Sequence, residues 1–210
     1  MNKVIDKIGI EREYFLRDKV TGRFVEPMLY GFPYDEFGFL VELRTTPQTT
    51  LESLMQDLAE LYRINQAKAD EYKLELECLH RAKLDQEWVE YLRQKYQYSN
   101  LPDLTANIYA GVAKSHATGL DGDYGTAGLH VHFSRHTIDG LRVQLPLIKI
   151  IMAMDAKFNR IIVLAKRIVG EYEIKPWGWE YRSLPTDINV YSVVDFAFWL
   201  LKRDRDGKKI

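Results

Sequence analysis

The sequence predicts an α+β domain on three observations: short segments in which apolar and polar residues alternate, leucines recurring every three or four residues over positions 51–61, and a long apolar run after position 138. At 210 residues with 46% hydrophobic content, the chain can bury one sizeable core and leaves little room for a second independent one. One domain spanning residues 1–210 is expected, with a helical arm at about 49–98 separating two groups of strands.

Val4–Phe15 reads as the first strand, because Ile8 and Ile10 alternate with polar neighbours before Glu11-Arg12-Glu13. Glu11 and Glu13 then point the same way. Phe37–Thr45, FGFLVELRT, follows a Gly/Pro/Asp-containing stretch and reads as a second strand, with Glu42 and Arg44 sharing a face. Thr49-x-x-Glu52 has the form of a capping box, and Leu51, Leu54, Leu58 and Leu61 predict an amphipathic helix to about Asp70. A second helix is predicted over Asp85–Tyr96 from Trp88, Tyr91, Leu92 and Lys95, ending at the Ser99–Asp103 stretch. Asn107–His116 and Ala127–Ser134 read as strands flanking the Gly119–Gly125 loop, a candidate lid or a set of solvated turns. The apolar pattern from Ile138 to Val169 is interrupted by Pro146, which suits the first turn of a buried helix. Tyr172–Leu184 returns to strand character, and Asn189–Arg203 closes the chain as an aromatic-rich helix.

Composition removes several classes of function. The 29 Lys and Arg balance 30 Asp and Glu, so the basic footprint of a general nucleic-acid binder is absent. Cys78 is the only cysteine, which excludes an intramolecular disulfide and a thiolate-rich metal site, and fits a reducing, cytoplasmic setting. The first residues lack an apolar signal region, and the most apolar later stretch, LPLIKIIMAM, is short and carries Lys149. A soluble protein with no membrane partner is expected. Gly111-Val-Ala-Lys-Ser115 lacks the glycine spacing of a P-loop.

Four short motifs bear on chemistry. Glu11 and Glu13 end an Ile-Gly-Ile run, where a strand emerging from a core would present two carboxylates; the bland reading is a solvated face. His130 and His132 in Gly128-Leu-His-Val-His-Phe-Ser134 share a strand face, as metal or phosphate ligands or as a hydrogen-bonded structural pair. Phe39-Leu-Val-Glu-Leu-Arg44 and Trp179-Glu-Tyr-Arg-Ser-Leu-Pro185 each place a glutamate two residues before an arginine. A glutamate that holds a divalent cation beside an arginine that clamps phosphate or carboxylate is what phosphoryl chemistry requires; the plain alternative is two surface ion pairs.

In this order, Ile8-Gly-Ile-Glu-Arg-Glu-Tyr14, Phe39–Arg44, Gly128–His132 and Trp179–Pro185 together resemble the glutamine synthetase and glutamate–cysteine ligase superfamily, particularly its compact phage and bacterial amidoligase branch. The resemblance implies a glutamine synthetase-like catalytic fold, a curved antiparallel sheet with helices packed on its outer face and the site on the concave one. It implies an ATP-dependent carboxylate-amine ligase that forms an amide bond through an acyl phosphate, with ATP and Mg2+, or Mn2+, as cofactors. Glu11 and Glu13 would be metal ligands divided between two sites. Glu42 would join the site nearer the activated substrate, with Asp35 as a further acid there and Glu36 its adjacent competitor. His130 and Glu180 would complete the other site, Arg182 would stabilise the transferring phosphoryl group, and Arg44 would bind substrate carboxylate or phosphate. His132 would orient a neighbour or touch substrate.

The substrates implied are a small-molecule or peptide carboxylate and an amine, a modified nucleobase being the only nucleic-acid component in view, within a bacterial or phage-infected cell. The chain is much shorter than typical glutamate–cysteine ligases, which puts homo-oligomerisation forward as a way to complete the site. Asp121 or Asp123 is a candidate to take the amine's proton, and Trp177 and Trp179 form either a substrate wall or core packing. Two other readings compete: a metal-dependent hydrolase or cupin-like protein centred on His116, His130 and His132, and a catalytically silent binding module with the same fold.

Overall fold

A computed structural model describes the chain except residues 1–3, 36–37, 99–103, 110, 115–119 and 122; at 95–98, 104–105, 111–114 and 120–121 it describes the backbone alone. In chain order the elements are β1 (Val4–Asp18), β2 (Val41–Arg44), α1 (Leu51–Glu71), β3 (Leu74–Glu77), β4 (Arg81–Lys83), α2 (Gln86–Tyr98), β5 (Leu104–Asn107) and β6 (Gly111–Lys114). They continue with β7 (Leu120–Asp121), β8 (Tyr124–Thr126), β9 (Gly128–Thr137), α3 (Leu147–Leu164), β10 (Glu171–Lys175), β11 (Gly178–Pro185) and α4 (Val190–Arg205).

The main sheet is open and antiparallel, in the order β2-β1-β9-β11-β10-β5-β6, with β3 paired to the far end of β1. A small sheet, β4-β8-β7, stands beside it. Alternation along the central strands decides what each face does. Ile8 and Ile10 of β1, Leu129, Val131 and Phe133 of β9, and Trp179 and Tyr181 of β11 all enter one core. That core is closed by Leu54 and Leu58 of α1, Ile150, Ile151, Met154 and Phe158 of α3, and Val193, Val194, Ala197 and Leu200 of α4. Three helices therefore cover one face of the sheet, and the intervening residues of the same strands are presented on the other.

The polar face is bounded at one end by a second core. Phe15, two residues beyond Glu13, packs with Phe24, Phe39, Ala82 of β4, and Val89 and Leu92 of α2. Residues 49–98 thus contribute α1 to one face of the sheet and α2 to the opposite core, with two strands between them that the sequence pattern did not predict.

Other boundaries also shift. The cap of α1 is Thr50 rather than Thr49: its hydroxyl accepts from the Ser53 N–H, and the Ser53 hydroxyl donates back to the Thr50 carbonyl, so Ser53 takes the reciprocal place expected of Glu52. Of the strand expected over Asn107–His116, Asn107 ends β5 and Gly111–Lys114 forms β6, which pairs back on β5, while residues 110, 115 and 116 lie outside the described residues; Tyr172–Leu184 is a hairpin of β10 and β11. Within Gly119–Gly125, Gly119 and Gly122 lie outside the described residues, while Gly125 belongs to β8 and abuts Phe15 and Phe39. Among the described residues, no helix is long and apolar enough to cross a membrane.

Candidate functional site

Strand register assembles the polar face. Glu11 lies between Arg44 on β2 and His130 on β9, Glu13 faces Glu42, and Glu180 on β11 lies between His132 and Glu173. Directly opposed side chains on one face of a sheet have Cβ atoms about 5 Å apart, so three antiparallel pairings bring together acids and imidazoles distant in sequence.

Glu11, His130, His132 and Glu180 are 3%, 2%, 5% and 2% exposed, which rules out a merely solvated face. Among the described residues, two groups have donor atoms that all lie within 4.8 Å of one another: Glu11, Glu13 and His130, and Glu11, His132 and Glu180. Glu11 belongs to both. Its Oε1 is 2.7 Å from His130 Nδ1, while Oε2 accepts from Arg44 Nε at 2.8 Å and Nη2 at 2.5 Å. Arg44 also reaches Glu42 at 2.6 Å, and the Gly128 N–H donates to Glu13 at 2.5 Å.

His132 fits a bound cation most directly. Its Nε2 is buried with no hydrogen-bond partner, 3.6 Å from Glu11 Oε2 and 3.5 Å from Glu180 Oε2. A buried polar atom without a partner costs roughly 1–3 kcal/mol, a penalty that a divalent ion among these donors would relieve. Carboxylate oxygens and imidazole nitrogens are both ligands of divalent metal ions, so each donor group could hold one.

The crowding is visible in the acids' proton affinities. Burial raises that of Glu11, but His130, His132 and Arg44 outweigh it and hold the carboxyl well below its usual range. Burial, with Glu11 and Glu13 nearby, pushes Glu42 up to about 8 despite Arg44. A carboxyl raised in the folded state binds a proton that the unfolded chain has released, so it stabilises the fold below about pH 4.5 and loses that contribution as pH rises to about 8. In EDTA, the melting temperature of the parent protein is therefore expected to fall between about pH 5 and 8, by an amount on the order of a few kcal/mol in stability. Glu42→Gln is expected to flatten that fall. An unchanged slope in the variant would contradict the assignment.

Cations surround the same groups. Arg182 donates to Glu180 and, at 3.0 Å, to Glu173; Lys175 Nζ pairs with Glu173 and lies 3.6 Å from Glu180 Oε2. Arg167, from the segment between α3 and β10, reaches back across the strands and donates to the Arg182 carbonyl at 2.6 Å. A Cβ at Gly128 would sit 2.8 Å from Arg167 Nη2 and 3.1 Å from His130 Nε2, so bare glycine backbone is what lets this guanidinium enter beside the histidine. Burial pushes Arg167 below its usual range against the pull of Glu13 and Glu171, yet guanidinium remains charged at any working pH.

Of the residues expected from sequence, Glu11, Glu13, His130 and Glu180 fall within the two donor groups, and Glu42, Arg44 and Arg182 are joined to them by ion pairs. Asp35 belongs to neither group: its Oδ1 accepts the Phe39 and Leu40 N–H groups at 2.7 and 2.8 Å and shapes the turn into β2. Asp123 lies 3.8 Å from Arg93, while His116, Glu36 and the side chain of Asp121 lie outside the described residues. Trp179 stacks on Phe133 in the core, and Trp177 lies against His132 with ring centroids 5.0 Å apart. Arg167, Glu173 and Lys175 were not anticipated. Comparison of the chain with protein-family models and with curated proteins finds no match.

Proposed function

We propose that the chain is an ATP-dependent carboxylate-amine ligase of the glutamine synthetase type, forming an amide bond by way of an acyl phosphate. The observation that carries this reading is Glu11, shared by two donor groups on a sheet face that also bears Arg44, Arg167 and Arg182. Phosphoryl transfer to a carboxylate asks little covalent chemistry of a protein and much charge compensation, because several anionic oxygens must approach one another. Bound by Glu11, Glu13, His130, His132 and Glu180, divalent cations would supply part of that compensation.

The chain's own residues supply the rest. Arg182 and Lys175 offer directed donors and a point charge to phosphate oxygens. Arg44, 59% exposed although tied to Glu11 and Glu42, can turn a free edge toward a substrate carboxylate. Trp177, packed on His132 and partly exposed, limits water at that end of the face and so favours attack by an amine over hydrolysis. The four ordered motifs and their resemblance to the superfamily support the same chemistry.

A histidine-centred hydrolase is the second reading, favoured by one imidazole in each donor group. The two part on nucleotide. Purified protein with magnesium-ATP and a pooled panel of amino acids and polyamines is expected to release ADP only when substrate is present, and Glu180→Gln is expected to lower that rate by more than about a hundredfold. Absence of both ADP release and magnesium-dependent ATP binding would sink the ligase reading in favour of the hydrolase or a silent module.

A further inference from the structure

Glu173 has no part in the chemistry just described, yet its position is distinctive. It faces Glu180 across the β10–β11 pairing, and each of its carboxylate oxygens holds a different cation, Oε1 the Lys175 ammonium and Oε2 the Arg182 guanidinium. Arg182 therefore carries two carboxylates. They are not equivalent: the Glu180 side chain is 2% exposed, whereas that of Glu173 is 34% exposed. Glu180 is fixed by its surroundings, and Glu173 can rotate into solvent without breaking any other hydrogen bond described for it. Nor does Glu173 belong to either donor group, so a cation among those donors would not hold it in place.

We infer that Glu173 is an internal stand-in for the anionic ligand, seated between Arg182 and Lys175 where the oxygens of a polyphosphate bind, and that it must swing out when polyphosphate enters. This rests on reading the face as a polyphosphate site. Two cations bridged by one carboxylate present the arrangement that two phosphate oxygens would use. The stand-in keeps Arg182 and Lys175 extended across the face while the site is empty of anion, and it sets a threshold that a weakly charged anion does not cross. A partly exposed pair of this kind contributes little to stability, so a ligand with several charges displaces it readily.

The sign of one substitution tests this. Calorimetric titration with inorganic tripolyphosphate, in the presence of Mg2+, is expected to give a Kd about five-fold lower for Glu173→Gln than for the parent chain. If Glu173 instead serves to orient Arg182, the variant binds more weakly. A long-range effect of removing one negative charge would vanish at about 0.5 M salt, where the screening length is well under that of physiological salt, whereas direct competition persists. In a Lys175→Gln background the gain is expected to shrink to about two-fold or less, because one of the two contested cations has gone. Parent binding with no gain, or with a loss, in Glu173→Gln would overturn the stand-in and leave the polyphosphate reading intact. No binding by either protein would overturn both.

Discussion

Glu11→Gln is expected to weaken binding of divalent cations at both donor groups at once, by more than about a hundredfold, since loss even of a group that only supports a metal ligand costs 10–100-fold. Glu11 is the one residue common to the two groups, and each of its oxygens faces a different imidazole: Oε1 lies 2.7 Å from His130 and Oε2 3.6 Å from His132. Glutamine preserves the shape but removes the charge, and its amide can offer an acceptor to one side only while turning a donor toward the other. Glu13→Gln separates a shared residue from one that serves a single group, because Glu13 belongs only to the group with His130. Titration with Mn2+, followed by the loss of its free-ion paramagnetic resonance signal, is expected to show two sites in the parent, one in Glu13→Gln and none in Glu11→Gln. Equal losses in the two variants would remove Glu11 from its bridging position.

The contrast between these two glutamates was beyond sequence, although both were visible as candidate site residues. Acids and imidazoles at the polar ends of alternating strands, Glu11 and Glu13 after Ile8-Gly-Ile10 and His130 and His132 around Val131, are legible because burial of the alternate residues fixes the direction in which the others point. What pairs with what is decided by register, and Glu11 meets His130 across 119 positions of sequence. Arg167 has no periodic pattern to mark it and enters only because Gly128 leaves room. Glu173 sits in EYEIK, a segment whose alternation reads as an ordinary half-exposed strand. Asp35, which the resemblance implies as a further acid beside Glu42, accepts the Phe39 and Leu40 N–H groups through Oδ1, a turn-shaping role for a carboxylate just ahead of Gly38 that its distance from Glu42 does not reveal. The α+β class and the main helices were legible from leucine and apolar spacing, whereas β3 and β4, four and three residues long and rich in charge, offer too little pattern to be seen.

Gly178→Ala is expected to be the most damaging small substitution on the face, costing about 3 kcal/mol or more of stability. A Cβ at that position would lie 2.1 Å from the Phe133 carbonyl oxygen, and because the obstacle is backbone of the neighbouring strand, no rotamer change relieves it. Only a shift of β11 away from β9 does, and the next residues along those strands are the stacked Phe133 and Trp179 and then the His132–Glu180 pair. Gly22→Ala provides the comparison: Gly22 has φ +71° with nothing within 4 Å of an added Cβ, so its cost is confined to the left-handed backbone, about 1 kcal/mol. Urea unfolding of the two variants is expected to separate these costs, and a Gly178→Ala variant no less stable than Gly22→Ala would show that β11 moves freely. The same displacement carries a functional signature. Moving β11 draws Glu180 away from Glu11 while leaving Glu11, Glu13 and His130 on β1 and β9 untouched, so a folded Gly178→Ala protein is expected to lose one Mn2+ site and keep the other, the mirror image of Glu13→Gln. Loss of both sites, or of neither, would mean that the close approach of these two strands does not set the geometry of the His132 group.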